Sequence, residues 1–260
     1  MELLADWRTL LNLAFRWIHV VAGVMWIGHL WFFNFVNAQV AKTYDAASKK
    51  AVVPQLMPRA LYWFRWGAAY TWITGILLMG LVIYMGGGME SRIGDTPGML
   101  VGLGVLVVGF AIYDVLWKSP LAKNEMAAAG VSYVLAVAAI FGLTRVFGGR
   151  AVWIHLGALF GTIMAANVWM RIWPSQKKII AAAAGGPAVD PSVPALAGLR
   201  SKHNTYMSVP LMLTMVSNHF PTWYGDDEGW IFLSGTILVG WGAAKWMYGK
   251  SASAAPASYT

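Results

Sequence analysis

Apolar positions in this chain come in long, nearly unbroken blocks, without the one-faced or alternating patterns of a water-soluble fold. The blocks at residues 10–37, 61–85, 98–117, 125–146, 151–173, 204–221 and 229–248 approach or exceed the ~20 helical residues that cross a hydrocarbon core. The pattern predicts an all-α integral membrane protein: a bundle of about seven transmembrane helices in a single domain over residues 1–250. Polar positions gather between the blocks. Residues 174–200, which include the run AAAAGGPAVDPSVPALAGLR at 181–200, read as a flexible loop, and 251–260 as a disordered tail.

Charge placement orients the bundle. The connection after the first block holds Lys42, Lys49, Lys50 and Arg59, and the one after the third holds Lys118 and Lys123. The one after the fifth holds Arg171, Lys177, Lys178, Arg200 and Lys202, and the C-terminal region adds Lys245 and Lys250. The other side has fewer cations, Arg8, Arg92, Arg145 and Arg150, and most of the acids: Glu2, Asp6, Glu90, Asp95, Asp226, Asp227 and Glu228. Basic residues stay on the cytoplasmic side, so the N-terminus is expected outside and the C-terminus inside, in a bacterial inner membrane. Trp7, Trp63, Trp66, Trp117, Trp173, Trp223 and Trp230 fall near block ends, where an aromatic belt sits.

Composition narrows the chemistry. Hydrophobic residues make up 58% and charged residues 12% of the 260 positions, against about a quarter charged in soluble domains; the mean hydropathy is +0.56. The net charge of +8 follows the topology, so no nucleic-acid partner is expected; the partner is the lipid bilayer. There is no cysteine, which excludes disulfides, thiolate metal sites and covalent c-type haem attachment. The acid-bearing start, Met1 to Arg8, does not read as a cleaved signal peptide.

Two short patterns suggest an internal repeat. Trp17-Ile18-His19 recurs as Trp153-Ile154-His155, and Gly98, Gly104 and Gly109 recur at the same spacing as Gly229, Gly235 and Gly240. Both pairs link odd-numbered blocks, which run the same way, so the repeat would be parallel: four helices plus three, one short of four plus four. The alternative is chance similarity among Trp- and Gly-rich helices.

Ionisable groups at membrane depth ask for a reason. In the expected orientation His19, His155 and His219 converge on the outer half, with His29 and His203 on the inner side. Two imidazoles from different helices at one depth suit a six-coordinate haem b. The repeat makes His19 and His155 the first choice of axial pair, with His219 in reserve and His29 a weaker inner ligand. Ala22, Gly23 and Trp26 share a face with His19, and Arg16 and Arg150 stand where haem propionates would want cations. The structural alternatives are histidines that bond a neighbouring helix and an Arg16 that snorkels to the interface. Pro210 interrupts the sixth block, as a kink or as part of a site. Asp114 pairs with Lys118 one turn on or belongs to a proton path.

Two longer runs carry a family resemblance. Phe15-Arg-Trp-Ile-His-Val-Val-Ala-Gly-Val-Met-Trp-Ile-Gly-His-Leu-Trp-Phe-Phe-Asn34 resembles the opening helix of the membrane-bound urate oxidase family. Arg200-Ser-Lys-His-Asn-Thr-Tyr-Met-Ser-Val-Pro-Leu-Met-Leu-Thr-Met-Val-Ser-Asn-His219 is similar to a later run of it and is the more specific. The opening helix also looks, more distantly, like small b-type cytochrome and copper-resistance membrane families. The resemblance implies a membrane domain of about eight helices, followed in the family by a periplasmic cytochrome c domain that takes electrons from urate. This sequence shows seven blocks and no cytochrome c motif, so the acceptor is expected to be a separate periplasmic cytochrome c or another redox subunit. Urate is a flat anion, for which His203, Asn204, Asn218 and His219 are candidate contacts. The expectation is a redox protein that oxidises urate and passes electrons through haem b. A non-catalytic b-type cytochrome subunit and a copper-handling membrane protein are the alternatives.

Overall fold

The computed structural model describes residues 6–225 and 228–253. Among them are seven long helices and no strand. They are α1 (Trp7–Thr43), α2 (Ala46–Tyr84), α3 (Asp95–Leu116), α4 (Glu125–Thr144), α5 (Gly149–Ala183), α6 (Ser192–Val216) and α7 (Gly229–Ser253). The acids Glu2, Asp226 and Asp227, and residues 254–260 of the expected tail, lie outside the described residues; Ser251–Ser253 complete α7. Helix starts have local causes. Asp6 caps α1 by accepting from the backbone N–H of Arg8 and Thr9, Asp45 caps α2 at Ser48, and Asn124 caps α4 at Ala127.

By length and composition, α1 to α5 are long and apolar enough to cross a membrane. The other two carry more polar residues, Arg200, Lys202 and His203 in α6 and Lys245 in α7, and complete the same bundle. Large apolar side chains stand exposed on the outer faces, among them Val24, Val107, Val134 and Val239. A band of that kind is unfavourable in water and suits lipid. The centre is α5: 72% of its most apolar stretch is buried, against 11% for α1 and 17% for α3 and α4. It packs on α2, α3, α4, α6 and α7.

The segment 174–200, expected as a flexible loop, is largely helical. It contains the rest of α5, a bend at 184–191 and the first third of α6. With ~1.5 Å of rise per residue, the 37 residues of α1, 39 of α2 and 35 of α5 exceed the ~30 Å hydrocarbon core. The excess of these helices forms a helical layer around the end where α1 meets α2 and α5 meets α6. Alanine-rich sequence that looks featureless becomes helix when packing supplies partners, here α2 and α6 against the end of α5.

Some features recur between α1 and α5, although the π-helical stretch of α2 at Met79–Tyr84 has no counterpart in α6. A π-helical stretch interrupts α1 at Phe32–Asn37 and α5 at Val168–Ile172, thirteen positions beyond each histidine (19 to 32, 155 to 168). The antiparallel pairing of α1 on α2 recurs as α5 on α6. The glycine triplets match in part. Gly104 and Gly235 face open space, whereas Gly109 takes Leu159 of α5 and Gly240 takes Pro210 of α6.

The end bearing that layer is tied by one carboxylate. Asp114 of α3 accepts from Arg171 of α5 through Nε at 3.2 Å and Nη2 at 2.6 Å, from Arg200 of α6 at 3.2 Å and from Lys118 at 2.5 Å. Arg200, expected among loop cations, is fully buried against the Tyr113 ring. Removing the carboxylate leaves that guanidinium without its counter-ion. Asp114→Ala should lower stability by about 3–5 kcal/mol, read as a fall in unfolding temperature in detergent. Lys118→Ala, at the exposed edge of the cluster, should cost under about 1 kcal/mol.

Candidate functional site

At the opposite end, a cavity of ≈ 440 Å³ lies among α1, α2, α5 and α6. It gathers five of the residues singled out by sequence: Arg16, His19, Arg150, Asn218 and His219. On α1 it is reached by Arg16, His19, Val20 and Trp26, and on α5 by Arg150, Ile154, Gly157, Ala158 and Gly161. Both sets follow the three-and-four spacing of one helix face. On α2 the π-helical end Met79–Tyr84 contributes Met79, Val82 and Ile83.

The groups have defined partners. The Thr74 hydroxyl donates to the Tyr70 carbonyl at 2.6 Å, so at His19, 3.1 Å away, it accepts from Nδ1–H. That fixes the tautomer and leaves the Nε2 lone pair of His19 uncommitted. Gly75 makes room for this ring, since a Cβ there would come within 3.1 Å of His19 Cε1. Arg150 Nε donates to Asn218 Oδ1 at 2.9 Å, which holds both at the mouth. Arg16 Nε donates to Asn12 Oδ1 at 2.6 Å, one turn back towards the start of α1.

His155 does not reach the cavity. It is fully buried, Nδ1–H donates to the Ala151 carbonyl at 2.7 Å, Nε2 accepts from the Tyr84 hydroxyl at 2.9 Å, and its ring stacks on Phe147. A Cβ at Gly102 of α3 would collide with both His155 and Tyr84. The cavity face of α5 passes through Ile154, and the next residue points about 100° away. With both ring nitrogens engaged, His155 has a structural place at the α2–α3–α5 contact. His19 and His219 share the cavity but differ in depth. The α2 stretch that holds His19 lies level with Thr162 through the Trp72–Thr162 bond. His219 follows the last turn of α6, opposite the start of α5.

The remaining candidates lie elsewhere. His203 accepts from Tyr113 at 2.8 Å and packs on Trp117. Asn204 is buried between Asn167 and the Met164 carbonyl, and His29 donates to the Met25 carbonyl of its own helix. His203 and Asn204 belong to a polar core at the other end, and none of these three touches a cavity residue through these bonds. Among the described residues no three His, Cys, Asp or Glu side chains gather as a metal-ion site. Sequence reasoning missed Thr74, Tyr84, Tyr113 and Asn167. Hydroxyl and amide groups inside apolar blocks are the signal that would have found them.

The urate oxidase N-terminal family matches residues 43–259, most of the chain, and the chain belongs to that family. No curated protein and no solved structure matches. The buried His155 pair offers a test of the assignment of roles. Tyr84→Phe should cost about 1–3 kcal/mol of stability and leave ligand binding in the cavity unchanged, measured by thermal unfolding and calorimetric titration of the same sample.

Proposed function

We propose that this member of the urate oxidase N-terminal family is a membrane redox protein and that its cavity holds urate while it is oxidised. The observation that carries the reading is that two guanidinium groups, two imidazoles and one carboxamide line a single, mainly apolar cavity. A flat purine anion needs those features: cations for its charge, planar donors for its carbonyl oxygens and apolar walls for its faces.

Roles follow from the partners. Arg16 and Arg150 neutralise the anion, and Asn218, set by Arg150, orients it. Two-electron oxidation with addition of water releases two protons. His19 Nε2, the open lone pair in the slot, is the acceptor for one of them. The electrons pass to a separate carrier, a periplasmic cytochrome c or another redox partner.

A second reading rests on the same nitrogen: His19 as the one protein ligand of a haem b, with Arg16 and Arg150 beside its propionates. Bound haem would supply one-electron transfer. Both readings are separable in the purified full chain. On the urate reading, calorimetry shows urate binding that weakens about tenfold or more in Arg150→Ala, a loss of ~1.4 kcal/mol. His19→Ala keeps binding within a few-fold and abolishes urate-dependent electron transfer. A b-type absorption band that disappears in His19→Ala, with no urate binding, replaces the first reading by the second.

A further inference from the structure

The cavity is chemically divided along its length. Its charged groups sit at the end shared by Arg150, Asn218 and Arg16, whereas its deeper part is walled by Trp26, Trp72, Ala158 and Leu211, with the hydroxyls of Thr71 and Thr162 turned to their own helix carbonyls. Urate would fill only the charged end. Two of the lining residues, Val20 and Trp72, are 60% and 41% exposed on the outer surface of the bundle. Val20 is thirteen residues into α1 from Trp7, about 20 Å along the helix axis, and belongs to an apolar span. An opening at that depth faces lipid tails. The deeper part also includes Trp26, 1% exposed, whose indole N–H has no hydrogen-bond partner. A buried donor without an acceptor is unfavourable.

We infer that the apolar half of the cavity is a binding site for a lipid-soluble quinone that enters from the bilayer past Val20 and Trp72, with a quinone carbonyl accepting from Trp26. The occupant must be flat to lie against the two indoles, apolar enough to arrive through lipid, and an acceptor of hydrogen bonds at its far edge. A quinone ring meets all three conditions, and its isoprenoid tail can remain between the helices and the lipid. This deepens the reading of the cavity as a urate oxidation site by naming the electron acceptor. The balance closes without another co-reactant. Urate and one water give the hydroxylated purine, two electrons and two protons as the new carbon–oxygen bond forms. The quinone takes two electrons and two protons to become the hydroquinone. His19 stands between the charged and apolar halves, where a proton released from one can be passed to the other.

The test uses the full chain in nanodiscs with a photoreactive azidoquinone, and urate binding measured separately by calorimetry. Labelling should map to the α1 segment around Val20–Trp26 or to α2 near Trp72, and an excess of a short-chain ubiquinone should suppress it. Ala158→Trp, which fills the apolar half, should reduce labelling at least tenfold, and Trp26→Phe, which keeps the ring and removes the N–H, should weaken quinone affinity about tenfold. Labelling that is scattered, unaffected by competing quinone as for an acyl chain, or unchanged in both variants overturns the inference. Quinone binding without urate binding leaves the site standing and removes urate as its reductant. Urate binding without specific quinone labelling does the reverse.

Discussion

A polar group enclosed by apolar side chains and lipid has no water to fall back on, and the architecture of this bundle follows from that constraint. It is most demanding at Asp114. One carboxylate on α3 meets guanidinium groups from α5 and α6 and the ammonium of Lys118, so three helices are held in register at one end. Beside it the Tyr113 hydroxyl donates to His203 and accepts from Asn167, which in turn donates to Asn204. Each bond joins two helices, and together they leave α5 no freedom to rotate about its axis. The orientation of α5 then decides what the far end of the bundle can contain.

That orientation turns Arg150, Ile154, Gly157, Ala158 and Gly161 towards the cavity and His155 towards α3. On α1 the equivalent arrangement turns Arg16, His19 and Trp26 inward to the same space. The two histidines stand at the same distance before a π-helical interruption of their helices, yet their surroundings differ. His19 meets Thr74 and Gly75 beside open space, whereas His155 meets Tyr84, Phe147 and Gly102 in close packing. A peripheral helix has one packed side, and a central helix is packed all round. Equivalent residues in the two halves of a bundle therefore need not have equivalent chemistry.

The helical class and its long apolar spans were legible from block length, because crossing or lining a membrane imposes a length that few soluble helices share. Depth along the helices was legible in part: it placed His19, His155 and His219, with Arg16 and Arg150, towards one end, and the cavity takes in all of these but His155. Rotation was not. A hydrophobic helix has no polar face to reveal which side packs inward, so His155 could not be distinguished from Ile154 by pattern. The loop expected at 174–200 failed for a related reason: alanine- and glycine-rich sequence carries little preference, and its helicity depends on the α2 and α6 surfaces it packs against. Arg200 was counted as a surface cation because charge is read by composition, whereas its burial depends on a carboxylate 86 positions away.

The π-helical end of α2 joins these threads. Residues Met79–Tyr84 supply three walls of the cavity and, in the same turn, the Tyr84 hydroxyl that fixes His155. An extra residue in a helical turn redirects the side chains that follow it and is retained where that redirection is needed. Here it lets one helix face the cavity with Met79, Val82 and Ile83 and still reach behind α5 with Tyr84. The central helix is thus gripped at one end by Asp114 and at the other by Tyr84, and the cavity lies beside the stretch between those grips. Such a space can accept and release a ligand while the bundle stays closed, because neither grip depends on what the cavity contains.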